Sequence, residues 1–188
     1  MNKQIFKILN NIHALSDEEI ADFHDILQEV LLEKGEYWLR EGMQNRNIAF
    51  IEEGFLRKFY LKDGNEQNDS FYFDNEFCAD LPSILSNTVP DSYIIAAKPT
   101  KLLIFTFDDY QKLCAKYRSF GHIYRVLLEN NFVKFYYRTR SFVELTPQER
   151  YNFILQNEPK ILNNATQYQI ASYIGISYQH LSRLRSKK

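Results

Sequence analysis

The chain has 188 residues and nearly balanced charge, with 23 Lys and Arg against 24 Asp and Glu and a net of −1. With 45% apolar and 15% aromatic residues it has the composition of a folded globular protein, which excludes a disordered chain. No apolar run approaches the ~20 residues of a membrane span, the N-terminus lacks a secretory leader, and Cys78 and Cys114 fit no metal or redox spacing, so the expectation is a cytoplasmic protein with reduced thiols.

In chain order, ALSDEEIADFHDIL opens a helix. Ser16 and Glu19 form an S-x-x-E capping box, and Ile20, Phe23 and Ile26 follow on one face. From about Val30 to Phe107 the pattern changes to short aromatic and β-branched runs: EYWLREG, NIAFIEEGFLRKFYL, DSFYFDNEF, SYIIAA and KLLIFTF. Gly35, Gly42, Gly54, Asp63-Gly64, Asp74-Asn75 and Pro99 punctuate them as turns. Repeated short strands of this kind predict a sandwich, jelly roll or barrel. Arg57 and Lys58 are expected on the outward face of a strand.

Thr106 reads as an N-cap with Asp108 and Asp109 in the first turn, and a long helix is predicted from about Ser119 to Leu145. Its broad apolar content needs cover, either from the barrel or from a second copy of the chain. At LTPQERYNFIL the pattern restarts: Thr146 caps, Pro147 takes the first helical position and Glu149 closes a second capping box. Leu145–Thr146 is therefore a candidate hinge. The divisions expected are residues 1–118, 119–145 and 146–188.

Charge divides at the same place. Residues 138–188 hold eight basic and three acidic side chains, a net of +5, which leaves −6 on residues 1–137. A basic tail on an acidic body suits a polyanionic partner. Arg138 and Arg140 lie near the hinge, placed to touch phosphate or pair with Glu144.

The segment IASYIGISYQHLSRLR lies in this basic tail. Thr166 and Gln169 form a third capping box. Ala171 is small where two helices cross, and Gly175, four residues later, suits a turn with positive φ. Ile170, Ile174, Ile176, Leu181 and Leu184 supply the inner face, and Ser177 can cap the second helix. Outward are Tyr178, Gln179, Ser182, Arg183 and Ser186, with Arg185 and Lys187 flanking. Arg reads guanine and Gln reads adenine in a major groove, and Ser177, Tyr178, Arg185, Lys187 and Lys188 suit phosphates. The spacing predicts a helix-turn-helix that binds double-stranded DNA.

Barrel, long helix, hinge and terminal helix-turn-helix, in that order, resemble the Crp/Fnr superfamily of transcription regulators. The resemblance is carried by NIAFIEEGFLRKFYLKDGNEQNDSFYFDNEF in the sensor part and QIASYIGISYQHLSRLR in the terminal part, and the run from TPQERYNFIL to LSRLR is similar to Bacteroidetes members. It implies an α+β fold. An N-terminal double-stranded β-helix (a jelly roll, cyclic-nucleotide-binding-like) is followed by a long central dimerisation helix and a C-terminal helix-turn-helix domain. It also implies a homodimer with half-sites about 34 Å apart, and contact with RNA polymerase.

The departures define the effector expectation. Nucleotide binders of this fold carry a Gly-Glu pair and, after a loop, Arg followed by a small residue. Here Ala79-Asp80 and Asp91-Ser92 stand in those places, so the anion's bidentate donor is gone. The expected effector pocket comprises Phe77, Ala79, Asp80, Leu81, Asp91, Ser92 and Tyr93, with Phe135 and Tyr136 from the central helix. Cyclic AMP is not expected to bind in the usual way. No cofactor or metal is expected, and scattered His13, His24, His122 and His180 suggest no ligand set. Two options stay open: a neutral or cationic effector, or a barrel that serves as scaffold. No catalytic arrangement is present in the pattern, so an enzyme is not expected. The alternative is an effector-binding or scaffold module with a degenerate DNA-binding domain, since the chain ends soon after the recognition helix.

Overall fold

The computed structural model describes residues 3–186. Helices α1 (Lys3–Ile12) and α2 (Asp17–Asp25) precede strands β1 (Gln28–Leu32), β2 (Tyr37–Leu39), β3 (Asn47–Glu53), β4 (Phe55–Lys62), β5 (Asn65–Phe73) and β6 (Phe77–Cys78). After α3 (Leu81–Ser86) come β7 (Tyr93–Ala96), β8 (Thr100–Thr106), α4 (Phe107–Lys116) and α5 (Arg118–Glu144). The chain continues through α6 (Pro147–Asn157), α7 (Pro159–Asn164), α8 (Gln167–Tyr173) and α9 (Tyr178–Ser186). The result is a mixed fold, a β-barrel-like body followed by a long helix.

Two four-stranded antiparallel sheets, in orders β1-β8-β3-β6 and β2-β7-β4-β5, face each other. Strand alternation sorts their side chains. Leu39, Ala49, Ile51, Leu56, Cys78, Ile94, Ala96 and Leu102 fill the space between the sheets. The odd-even partners Ile48, Phe50, Leu103 and Phe105 turn outward and pack under α1, α2, α4 and the start of α5, with Phe23 wholly buried at the centre. Burial pushes the Cys78 thiol far up, so it stays protonated and unreactive.

The turns follow the local chemistry. Asp63 and Gly64 both have positive φ, 52° and 76°, and close a two-residue hairpin between β4 and β5. Gly54 has φ +128°, and a Cβ there would stand 2.4 Å from Thr100 Oγ1, so only glycine fits. Helix starts match the capping boxes read from sequence: Ser16/Glu19 on α2, Thr146/Glu149 on α6 and Thr166/Gln169 on α8 each show both reciprocal bonds. Thr106 Oγ accepts from Asp109 N at the start of α4. Helix α1 was not anticipated, although Ile5, Ile8, Leu9 and Ile12 carry helical spacing; Ile5, Phe6 and Leu9 are buried.

The outer face of the β2-β7-β4-β5 sheet is covered at one end by the terminal helices. Phe55, Phe71 and Phe73 pack with Tyr151, Ile154, Ile161, Ile170, Ala171, Tyr173, Ile174, Leu181 and Leu184. On α5 only Ser119, Phe120 and Ile123 are buried. Beyond them the helix leaves the barrel, and Phe132, Val133, Phe135, Tyr136, Tyr137, Phe142 and Val143 are exposed. No helix among the described residues is long and apolar enough to cross a membrane.

Candidate functional site

The terminal helices are built around one crossing. Helix α8 ends at Tyr173 with Ile174 as its C-cap, and Gly175, with φ +71°, reverses the chain. Gly175 N donates to Ser172 O and Ile176 N to Ala171 O, at 3.0 and 2.9 Å, which satisfies the last carbonyls of α8. Ser177 Oγ accepts from His180 N at 3.2 Å and caps α9. Ala171 is buried against the crossing, and Ile170, Ile174, Leu181 and Leu184 are buried with it, while Ile176 is half-buried.

This leaves one face of α9 free. Gln179, Ser182, Arg183 and Arg185 are exposed, Ser177 is exposed before them, and Tyr178 is half-buried. Arg183 and Arg185 have no ion-pair partner among the described residues. Lys187, expected beside them, lies outside the described residues, as does Lys188.

Polar contacts fix this unit against the rest of the chain. Ser172 Oγ accepts from Asn68 N at 2.8 Å and donates to Glu66 O at 3.2 Å, so α8 seats on the backbone of β5. Tyr173 packs its ring on Phe71, with centroids 5.1 Å apart, and its phenol is pushed up by burial. Arg138 lies 3.8 Å above the Tyr173 ring and donates to Tyr173 O. Arg150 donates to Leu145 O at 2.6 Å and Ile174 O at 2.9 Å, tying the α5–α6 junction to the turn before α9. Arg138 is therefore engaged by protein, while Arg140 makes the expected pair with Glu144 at 2.7 Å.

The barrel interior corrects one reading. Lys58 does not face outward. It follows Leu56 with period two, points between the sheets and pairs with Asp80 at 2.6 Å, with side chains only 12% and 4% exposed. Asp69 stands 3.9 Å from the same ammonium. Arg57 does face the outer side of β4 but is buried there, donating to Glu66 Oε2 at 2.6 Å and Asn68 Oδ1 at 3.0 Å. Two adjacent cations on a strand take opposite faces, and each finds a partner distant in sequence.

The nine residues expected around an effector fall in separate places, on two strands, the loops beside them, α3 and α5. Asp80 points inward to Lys58, and Ser92 is buried with its Oγ unpartnered. Phe77 and Ala79 pack outward against the helical cluster. Leu81 begins α3, half-buried, and Asp91 is exposed. Tyr93 lies on the outer sheet face, stacked on Phe59 at 5.2 Å and donating to Glu41 Oε2 at 2.9 Å, which raises its pKa. Phe135 and Tyr136 do not reach the barrel. With Phe132, Thr139, Arg140 and Val143 they line a shallow groove of about 230 Å³ on the free side of α5. The sequence reading missed Lys58 as an inward group, although its spacing from Leu56 was a usable signal. It also missed Ser172, whose role depends on β5, about 100 residues away.

Residues 29–117 match the family model of the cyclic nucleotide-binding domain. The match covers the barrel and α4 and stops before α5. No curated protein sequence gave a match. Among solved structures, the chain is similar to a protein assigned as a Crp/Fnr-family transcriptional regulator from Eubacterium rectale, at 19% identity over 98% of this chain and 87% of that one, with TM-score 0.74. It is similar to FixK2 from Bradyrhizobium japonicum at 15% identity, over 86% and 84% of the chains, with TM-score 0.73. The Thermus thermophilus catabolite activator protein matches at 19% identity, over 98% and 86%, with TM-score 0.58. At these identities the likeness is one of fold. Within the matched domain, the Asp80 carboxylate pairs with Lys58, and Asp91 is exposed.

Proposed function

We propose that the chain is a Crp/Fnr-type transcription regulator that binds double-stranded DNA as a homodimer through a C-terminal helix-turn-helix. The observation that carries this reading is the free face of α9. Gln179, Ser182 and Arg183 point away from a crossing at Ala171 and Gly175, while every large aliphatic of the two helices points in. Arg183 and Gln179 are read as base contacts, and Ser177, Tyr178 and Arg185 as phosphate contacts. Fold likeness to Crp/Fnr regulators supports the same assignment.

The dimer is assigned to the outer half of α5. Phe132 is 67% exposed and Phe135 66%, on a helix whose first turns are sealed against the barrel. An apolar stripe of this kind belongs in an interface. Cyclic AMP is not the effector, because the cassette lacks its anion donor and its interior cation is internally paired. Titration calorimetry with cyclic AMP is expected to show no binding in the micromolar range.

The deciding experiment is selection of bound sequences from a random duplex pool, followed by gel shift with the full chain. A recurrent two-fold site is expected. Arg183→Ala should lose site discrimination by about 1–3 kcal/mol. An Arg183→Ala variant that keeps wild-type discrimination overturns the assigned reading face, and a monomer in sedimentation that ignores every duplex overturns the function.

A further inference from the structure

Tyr168 and Tyr178 stack face to face, with ring centroids 4.2 Å apart and planes 12° from parallel, the closest ring pair among the described residues. Tyr168 is in the first turn of α8, and Tyr178 opens α9. Neither belongs to the apolar cluster beneath these helices, and Tyr168 is 67% exposed. Neither hydroxyl has a hydrogen-bond partner among the described residues. The pair therefore contributes little to the core. It holds two large side chains in one arrangement at the surface, with both polar ends free.

Its place on α9 is informative. Tyr178, Ser182 and Arg185 are spaced i, i+4, i+7 and form one line along the helix. Tyr178 is the N-terminal end of that line, and the stack extends it onto α8 through Tyr168 alone. A phenol offers one donor, too little to distinguish bases by paired hydrogen bonds but well suited to a phosphate oxygen. Tyrosine loses only two torsions when fixed, and stacking removes most of that freedom before any partner arrives.

We propose that Tyr168 is a positioning residue for DNA. It holds the Tyr178 ring so that the Tyr178 hydroxyl donates to a backbone phosphodiester at the edge of the groove that α9 enters. This rests on the DNA-binding reading above and adds a residue on α8 that acts through its ring. Two consequences distinguish it from a packing role. The Tyr168 hydroxyl is dispensable while its ring is required, and the effect is the same for every DNA sequence.

The test is an anisotropy titration of the full chain with two probes, a random-sequence duplex and the duplex recovered by selection. Tyr168→Phe should bind both as wild type does. Tyr178→Phe and Tyr168→Ala should each weaken both by a similar factor, on the order of tenfold, the range for a hydrogen bond to a charged group. The double variant Tyr168→Ala/Tyr178→Phe should bind no more weakly than Tyr178→Phe. Additive losses, a loss in Tyr168→Phe, or wild-type binding by Tyr168→Ala overturns the proposal and leaves the DNA-binding reading standing. A wild-type chain that binds neither probe removes both. The two Phe variants retain the rings, so they keep the test decisive if Tyr168→Ala does not fold.

Discussion

The two sheets carry covers of different kinds. Over β1-β8-β3-β6, Phe23 meets Phe105, Tyr110 and Phe120 at 5.3–6.1 Å, edge-on or tilted, in a dry cluster closed by α1, α2, α4 and α5. Over β2-β7-β4-β5, the terminal helices contribute Tyr173 as the ring that meets the sheet's Phe71, and add polar bonds through Ser172. Dry aromatic contact is lost in full when separated. A hydrogen bond to backbone is largely exchanged for one to water. Both covers bury an apolar cluster, and the second adds side-chain hydrogen bonds to strand backbone.

That contrast can be broken from either side. Phe23→Ala should have the largest effect, about 3–5 kcal/mol in urea unfolding, because it empties the centre of the dry cluster. Gly175→Ala should cost about 1–3 kcal/mol, since it forces a side chain to φ +71° and places a Cβ 2.9 Å from the Phe142 ring. Most of that loss should appear as earlier melting of the terminal helices in hydrogen exchange, with the Phe23 cluster still protected. If both regions lose protection together, the two covers form one cooperative unit.

Ser172→Ala should cost about 1 kcal/mol, since it removes one bond each way with β5. Amide exchange at Asn68 should quicken in that variant while Phe105 is unchanged. The smallest expected effect is on acid stability. Glu19 is held below the usual carboxylate range by Ser119 and by the Ser16 backbone, and Asp22 by Lys116 and Tyr117. A depressed folded pKa stabilises at neutral pH and is lost as pH falls through it, below about 4. These clamps tie α2 to α4 and α5, whereas the α8 contact with β5 uses a hydroxyl and backbone groups that do not titrate. In a pH series from 7 to 2.5, the urea midpoint of Glu19→Gln/Asp22→Asn should fall less steeply than that of wild type.

What was legible in sequence was local. Turns at Gly54 and Asp63-Gly64, three capping boxes, the restart at Thr146 and the crossing at Ala171 and Gly175 each depend on residues within a few positions of one another. The inward and outward sets of α9 followed from the same short-range spacing. What was not legible depends on distant partners. Lys58 is expected on the outward face because its counter-ion Asp80 lies 22 residues on, whereas Arg57 does take that face and only its burial against Glu66 and Asn68 on β5 was out of reach. The expected effector residues are close in sequence only in part, and the loops around α3 and the departure of α5 from the barrel set them apart. Helix α1 is legible in the helical spacing of Ile5, Ile8, Leu9 and Ile12, a local signal that needs no distant partner.

Strand β5 is the outermost of its sheet. A bare outer strand offers its amides and carbonyls to any passing chain and seeds aggregation. Ser172 occupies two of those groups, Asn68 N–H and Glu66 C=O, so the seated α8 acts as a guard on that edge. Any movement that lifts α8 to present α9 differently also unguards β5. Solubility and the placement of the terminal helices are thus linked through one serine, and a displaced unit would need a new neighbour for that strand.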